Sequence, residues 1–306
     1  MKAGPRNTVL LSKFASIAVA FAILPCTGCG TTDPLTGNSA VVPTTLRLPG
    51  GDVTVATTVD ADGLMFADVF VNDTGPYKFL IDTGAGATVI SPRITALFPA
   101  SIGGTTNTSS GAIAGTVARR LFRVDSITLG SVSFENFQAV EIDVAPLLPN
   151  SGFVVEGVLG LPLFRAIALT MDFPGSLVRL RQGPLPATDN CNVFDLTVDS
   201  AQLVNFPLTV EGQRVQALLD SGNNSFLFLP TSFDDLMFIG PTTRSTASTV
   251  TGSFSVTNGC LAPGAVSFGC FSFSDPCVGI GGNNIINFGV DAWRSNNNRV
   301  PDQPPR

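Results

Sequence analysis

The sequence predicts an all-β protein built from two related lobes, and three observations lead there. Short runs rich in Val, Leu, Phe and Thr, broken by Gly, Asn or Asp, recur along the 306 residues and read as strands and tight turns rather than helices. Apolar residues make up 44% of the chain and charged ones 13%, enough to bury two cores of ordinary domain size. The chain also repeats itself. Met65-Phe-Ala-Asp-Val-Phe-Val71, a turn, and Tyr77-Lys-Phe-Leu-Ile-Asp82-Thr83-Gly84 are matched in order and spacing by Phe206-Pro-Leu-Thr-Val210, a turn, and Arg214-Val-Gln-Ala-Leu-Leu-Asp220-Ser221-Gly222. Each block is a predicted β-hairpin whose second strand ends on Asp-(Thr/Ser)-Gly.

Around these hairpins the chain divides into five stretches. Residues 1–29 combine a basic start (Lys2, Arg6, Lys13), the apolar run Phe14 to Leu24 and the small-residue exit Thr27-Gly28-Cys29. That order describes a signal peptide, and the apolar run is too short to span a bilayer. Thr27-Gly28-Cys29 resembles the end of a bacterial lipobox, which would make Cys29 a lipidated first residue and place the protein in the periplasm or cell envelope. Simple cleavage without lipid is the other reading. Residues 30–52, rich in Thr, Pro and Gly, read as a tether. The lobes are expected over 53–185 and 186–294, and the polar, proline-rich residues 295–306 as a loose tail. Cys191, Cys260, Cys270 and Cys277 form an even set in the second half, as two disulfides of an exported protein would require, with three connectivities open. A metal site is not expected, since no C-x-x-C pair lies among the four.

Composition narrows the chemistry. There is no histidine, and Lys78 is the one lysine after residue 13. Ser-His-Asp and Cys-His catalysis and histidine metal sites are thereby excluded, and acid–base work falls to carboxylates. The net charge of −6 becomes −9 if Lys2, Arg6 and Lys13 are removed, which argues against nucleic acid and against a basic membrane-binding face. Any membrane association would run through the N-terminal lipid.

Asp-Thr-Gly alone is a weak signal, and the chain carries its own control. Asp73-Thr74-Gly75 matches the string but lies between Asn72 and Pro76, where turn chemistry accounts for it. Asp82 and Asp220 differ, because Phe79-Leu-Ile81 and Ala217-Leu-Leu219 precede them. An ionisable group at the end of a buried strand is costly unless pairing or function justifies it.

With these residues in view, the chain resembles the pepsin/retropepsin superfamily of aspartic proteases. Phe79 to Ile90 is similar to the active-site loop of retropepsin-like enzymes, Gly157-Val-Leu-Gly-Leu-Pro-Leu-Phe164 to the apolar-apolar-Gly segment crossing beneath it, and Ala168 to Leu180 to the hairpin that closes the domain. The resemblance implies two barrel-like lobes of six or seven strands, related by a pseudo-twofold, with a few short helices such as Arg93–Phe98. It implies an aspartic endopeptidase in which Asp82 and Asp220 share one proton and activate a water. Thr83 and Ser221 would hydrogen-bond across the lobes, and Gly84 and Gly222 would admit the backbone close to the carboxylates. No cofactor is implied, and the partner is a peptide or protein substrate lying extended between the lobes. Gly111, Ile113 and Gly115 mark a candidate flap, and Ser248 to Ser255 a counterpart in the second lobe.

The second lobe departs from the family pattern. Asn223-Asn224 follow Gly222 where the family has a small residue, and Cys277 to Val290 lacks a clean apolar-apolar-Gly. Three readings therefore stand: a single-chain, monomeric peptidase; a protease-shaped binding or scaffold protein without catalysis; and a homodimeric peptidase that pairs two first lobes.

Overall fold

The computed structural model describes residues 8–11, 16–20, 41–110, 113–183, 193–199, 203–269, 271–282, 285–294 and 299–301. The architecture is almost entirely β, as the alternating pattern demands. In Met65–Val71, Met65, Phe66, Ala67, Val69 and Val71 are buried while Asp68 and Phe70 face outward. The strand turns at Asn72 and Asp73, both at positive φ, and returns as Thr74–Asp82. Asn and Asp tolerate that left-handed conformation better than other non-glycine residues, so the isolated Asp73 triplet opens in a hairpin turn.

The first lobe closes on itself. Its sheet runs Val132–Glu141, Val89–Ile90, Val155–Gly160, Thr74–Asp82, Met65–Val71 and Ile113–Leu129, and the last of these pairs back onto Val132–Glu141. This six-stranded ring abolishes free edges around a core that includes Phe66, Phe79, Phe122 and Phe134. Two strands depart from the predicted boundaries. Thr45–Arg47, within the stretch read as a tether, pairs with Phe134 and its neighbours, and Asp52–Ala56 pairs with Leu177–Arg181. The alternation there is too short to register as a strand in the sequence. The expected helix over 93–98 is shorter and earlier, Pro92–Thr95, capped by Ser91. Two buried carboxylates fix it to the barrel. Glu156 accepts from Ser91 Oγ at 2.5 Å and pairs with Arg93, and Glu141 accepts from Thr95 Oγ1 at 2.5 Å and pairs with Arg120.

The second lobe repeats the plan as an open sheet. It runs Ile239–Thr249, Gly252–Cys260, Cys277–Gly281, Leu227–Leu229, Asn287–Phe288, Gln213–Leu219, Val204–Val210, Val266–Phe268, Phe271–Phe273 and Arg299–Pro301. The last strand falls in the stretch read as a loose tail. Phe206, Phe226, Phe268, Phe273 and Phe288 meet largely edge-to-face, which explains much of the phenylalanine excess. Cys260 and Cys277 lie opposite each other in neighbouring strands with their sulfurs at bonding distance, while Cys191 and Cys270 lie outside the described residues.

A third, six-stranded sheet spans both halves of the chain: Val193–Asp195, Thr8–Leu11, Ser16–Ala20, Ala168–Asp172, Leu177–Arg181 and Asp52–Ala56. Two of its strands come from the stretch read as a signal peptide. Cys29 is outside the described residues. Among the described residues, no helix is long and apolar enough to cross a membrane.

Candidate active site

The site is built from two strand ends that the pseudo-twofold brings face to face. Phe79, Leu80 and Ile81 bury the end of one strand, and Ala217, Leu218 and Leu219 the end of the other. Each strand is held from beneath by a parallel partner. Leu80 lies opposite Val158, and Asp82 opposite Gly160; Leu218 lies opposite Asn287, and Leu219 opposite Phe288. Asn287-Phe288-Gly289 is therefore the second-lobe counterpart of Val158-Leu159-Gly160. The glycines make the same close approach. A Cβ on Gly160 would stand 2.3 Å from the Ala87 carbonyl oxygen, and one on Gly289 2.3 Å from that of Ser225. Leu161 N–H donates to the Ala85 carbonyl at 2.9 Å, and Val290 N–H to that of Asn223 at 2.8 Å.

The two Asp-(Thr/Ser)-Gly loops exchange hydrogen bonds across the lobe boundary. Thr83 Oγ1 donates to the Leu219 carbonyl at 2.7 Å and accepts from Ser221 N–H at 3.0 Å. Reciprocally, Ser221 Oγ donates to the Ile81 carbonyl at 2.8 Å and accepts from Thr83 N–H at 2.9 Å. Thr83 is 2% exposed and Ser221 1%, so each loop satisfies buried backbone groups of the other with no water to replace them. Removing either hydroxyl would orphan one N–H and one carbonyl, at about 1–3 kcal/mol per group.

This exchange sets the aspartates side by side. A Cβ on Gly84 would lie 2.3 Å from Asp220 Cγ, and one on Gly222 2.5 Å from Asp82 Cγ, so only glycine fits at either position. The carboxyl groups share a hydrogen bond, and each also accepts the N–H two residues on: Gly84 to Asp82 Oδ1 at 2.7 Å, Gly222 to Asp220 Oδ1 at 2.8 Å. Burial, then the neighbouring Asp220 charge and the hydrogen bond from that carboxyl, hold Asp82 well above the usual carboxylate range, against the opposing N–H groups of Gly84 and Ala85. A pair of this kind can hold one proton between two oxygens and offer one base and one acid to the same bound molecule.

Asn287 was invisible as a site residue in the sequence. Its Nδ2 donates to Asp220 Oδ2 at 2.5 Å, and Asn223 holds its other end. The only signal was the departure from family pattern at Asn223 and across Cys277 to Val290.

The flap candidates fall on two long hairpins. Gly111 lies outside the described residues. Ile113 and Gly115 belong to Ile113–Leu129, which pairs with Ile102–Ser110, and Gly115 sits at an irregularity of that ladder with φ 109°. Ser248 to Ser255 spans the turn between Ile239–Thr249 and Gly252–Cys260. The hairpins touch: Arg119 Nη2 donates to the Val250 carbonyl at 2.9 Å.

Residues 67–163 match the family described as Aspartyl protease, a stretch that includes Asp82 and the crossing strand beneath it. No curated protein matches the chain. Among solved structures, a retropepsin-like aspartic protease from Rickettsia conorii is similar at 19% identity and a TM-score of 0.32, covering 45% of this chain and 94% of that one. Over residues 67–163, within its first lobe, this chain is thus similar to the aspartyl protease family.

Proposed function

We propose that the protein is a single-chain aspartic endopeptidase whose catalytic groups are Asp82 and Asp220. The observation that supports this most is the mutual fit of the two loops, in which the carboxyls share a hydrogen bond and each glycine leaves room for the opposite aspartate. In this reading the ionised carboxylate takes a proton from a water, which attacks the scissile carbonyl carbon. The protonated carboxyl hydrogen-bonds the carbonyl oxygen as negative charge develops there, then the pair returns a proton to the departing amine. Thr83 and Ser221 act by holding the loops rigid.

The substrate is an extended peptide between the two hairpins, to whose edges it adds strand-like hydrogen bonds. The Arg119 contact with Val250 supports a cleft roofed from both lobes. Arg119→Ala is expected to raise KM about five-fold with kcat little changed, the worth of one hydrogen bond; a matching fall in kcat with unchanged KM would place Arg119 elsewhere in the cycle. Export by the N-terminal segment, lipid attachment at Cys29 and a Cys260–Cys277 disulfide belong to the same proposal.

The test is cleavage of a denatured protein at acid pH by the purified chain and by Asp220→Asn. Loss of cleavage by about 10²–10⁴-fold, the usual worth of a positioned acid or base, is the expected result. Retained activity in Asp220→Asn, with a dimer in solution, would favour pairing of two first lobes. No cleavage by the unaltered chain at any pH would favour a binding protein.

A further inference from the structure

The two lobes place different residues on the same rung beneath their aspartates. In the first lobe that rung is Val158, buried and without a polar atom on its side chain; in the second it is Asn287. The orientation of the Asn287 amide follows from a donor whose direction is fixed. Ser225 N–H can only donate, and it donates to Asn223 Oδ1 at 2.9 Å, as does Ser225 Oγ at 2.7 Å. Asn223 must therefore turn its Nδ2 the other way, where it donates to Asn287 Oδ1 at 2.8 Å. That leaves Asn287 Nδ2 facing Asp220 Oδ2 at 2.5 Å. An amide NH₂ donates and cannot accept, so the chain of three side chains delivers a hydrogen bond that a carboxylate oxygen takes more strongly than a protonated carboxyl does.

Asp220 thus accepts at both oxygens, from Gly222 N–H and from Asn287. Asp82 has the matching bond from Gly84 N–H, with Ala85 N–H beside it, but among the described residues no side-chain amide in the place of Asn287. We infer that Asn287, aimed by Asn223 and Ser225, keeps Asp220 the ionised member of the pair and leaves the shared proton on Asp82. The consequence for cleavage rests on the peptidase reading; the assignment of the proton does not. The ionisable group facing Asp220 is Asp82. Asp291, on the short helix that follows Gly289, is exposed, and its backbone N–H bonds the Ser225 carbonyl. Thr83, Ser221, Asn223 and Asn287 carry no titrating group in this range.

Asn287 is then a positioning residue, and Asn287→Val, which installs the first-lobe residue, is the direct test. In the unaltered chain, carboxyl-carbon NMR of protein labelled at aspartate, with Asp82→Asn and Asp220→Asn to assign the signals, should show Asp82 as the carboxyl that stays protonated to higher pH. In Asn287→Val the acid limb of the kcat/KM profile should move up by about one pH unit, the worth of a charge-assisted hydrogen bond. Asn223→Ala, which frees the Asn287 amide to turn, should move it the same way by less and covers the case in which Asn287→Val does not fold. A purely structural Asn287 would lower Tm and leave the limb in place, and would overturn the inference. So would NMR signals showing the proton on Asp220. If the chain cleaves nothing, the carboxyl titration still decides where the proton sits, and only the peptidase reading falls.

Discussion

Asp82→Asn is expected to raise the melting temperature at neutral pH by several degrees while removing cleavage. The native chain holds the Asp82 carboxyl well above its ordinary value of 3.8, chiefly by burying it and secondarily through the charge of Asp220 and their hydrogen bond. The unfolded chain releases that proton near the ordinary value. Between the two, the folded state binds more protons, so stability falls as pH rises, and above the folded value the full cost of ionising a half-buried carboxyl beside a second carboxylate is present. Each unit of separation is worth about 1.4 kcal/mol. Asparagine keeps the shape and an oxygen for the Gly84 N–H, but has no charge to bury. Calorimetry at pH 7 and at pH 3 checks the sign: the variant should gain on the unaltered chain at the higher pH and not at the lower. Melting temperatures that run parallel across that range would show that Asp82 titrates as an ordinary carboxylate. Sites that must hold unfavourable groups commonly cost stability in this way.

Gly84→Ala should damage both stability and cleavage, because its methyl strikes the dyad itself. Its Cβ would meet Asp220 Cγ at 2.3 Å and the carboxylate oxygens at 2.4 and 2.6 Å. Asp220 has nowhere cheap to retreat, because Gly222 N–H and Asn287 Nδ2 hold its two oxygens. The lobes must part slightly, which strains the Thr83–Ser221 exchange. Overpacking of this kind costs about 1–3 kcal/mol, and displacement of reacting groups by an ångström costs about 10²-fold in rate. Gly103→Ala is the matched control, since a Cβ there meets nothing within 4 Å and its backbone is not left-handed. Denaturant midpoints and cleavage rates for the pair separate a clash at the dyad from a general loss of flexibility; equal effects in both would remove the clash as the cause.

The first lobe was legible because its signals are local. Phe79-Leu-Ile81 alternates with turn residues, Asp82 closes the strand, and Gly157-Val-Leu-Gly160 states its own crossing segment. The second lobe hid its crossing strand because the inner position carries Asn287 instead of an apolar residue, and what makes an asparagine acceptable there is a hydrogen-bond partner 67 residues away. Only the fold supplies that partner. The same holds for Thr45–Arg47 and for the six-stranded sheet, whose strands are short and whose pairings join distant parts of the chain. Cys260 and Cys277 were named as disulfide candidates, but their opposition comes from the register of Gly252–Cys260 on Cys277–Gly281. Turn chemistry did separate Asp73 from Asp82 correctly, since Asn72 and Asp73 sit at positive φ in the first hairpin.

The reciprocal bonds of Thr83 and Ser221 carry a consequence for how the chain folds. Each loop leaves a buried N–H and a buried carbonyl that its own lobe cannot satisfy, so neither half reaches its final state first and waits for the other. The two loops are completed together and lost together, and a hydrophobic core continuous through both lobes couples their melting further. A first lobe cut free after residue 185 would carry two unanswered groups at its lobe-facing loop, and another copy of itself is one surface able to answer them.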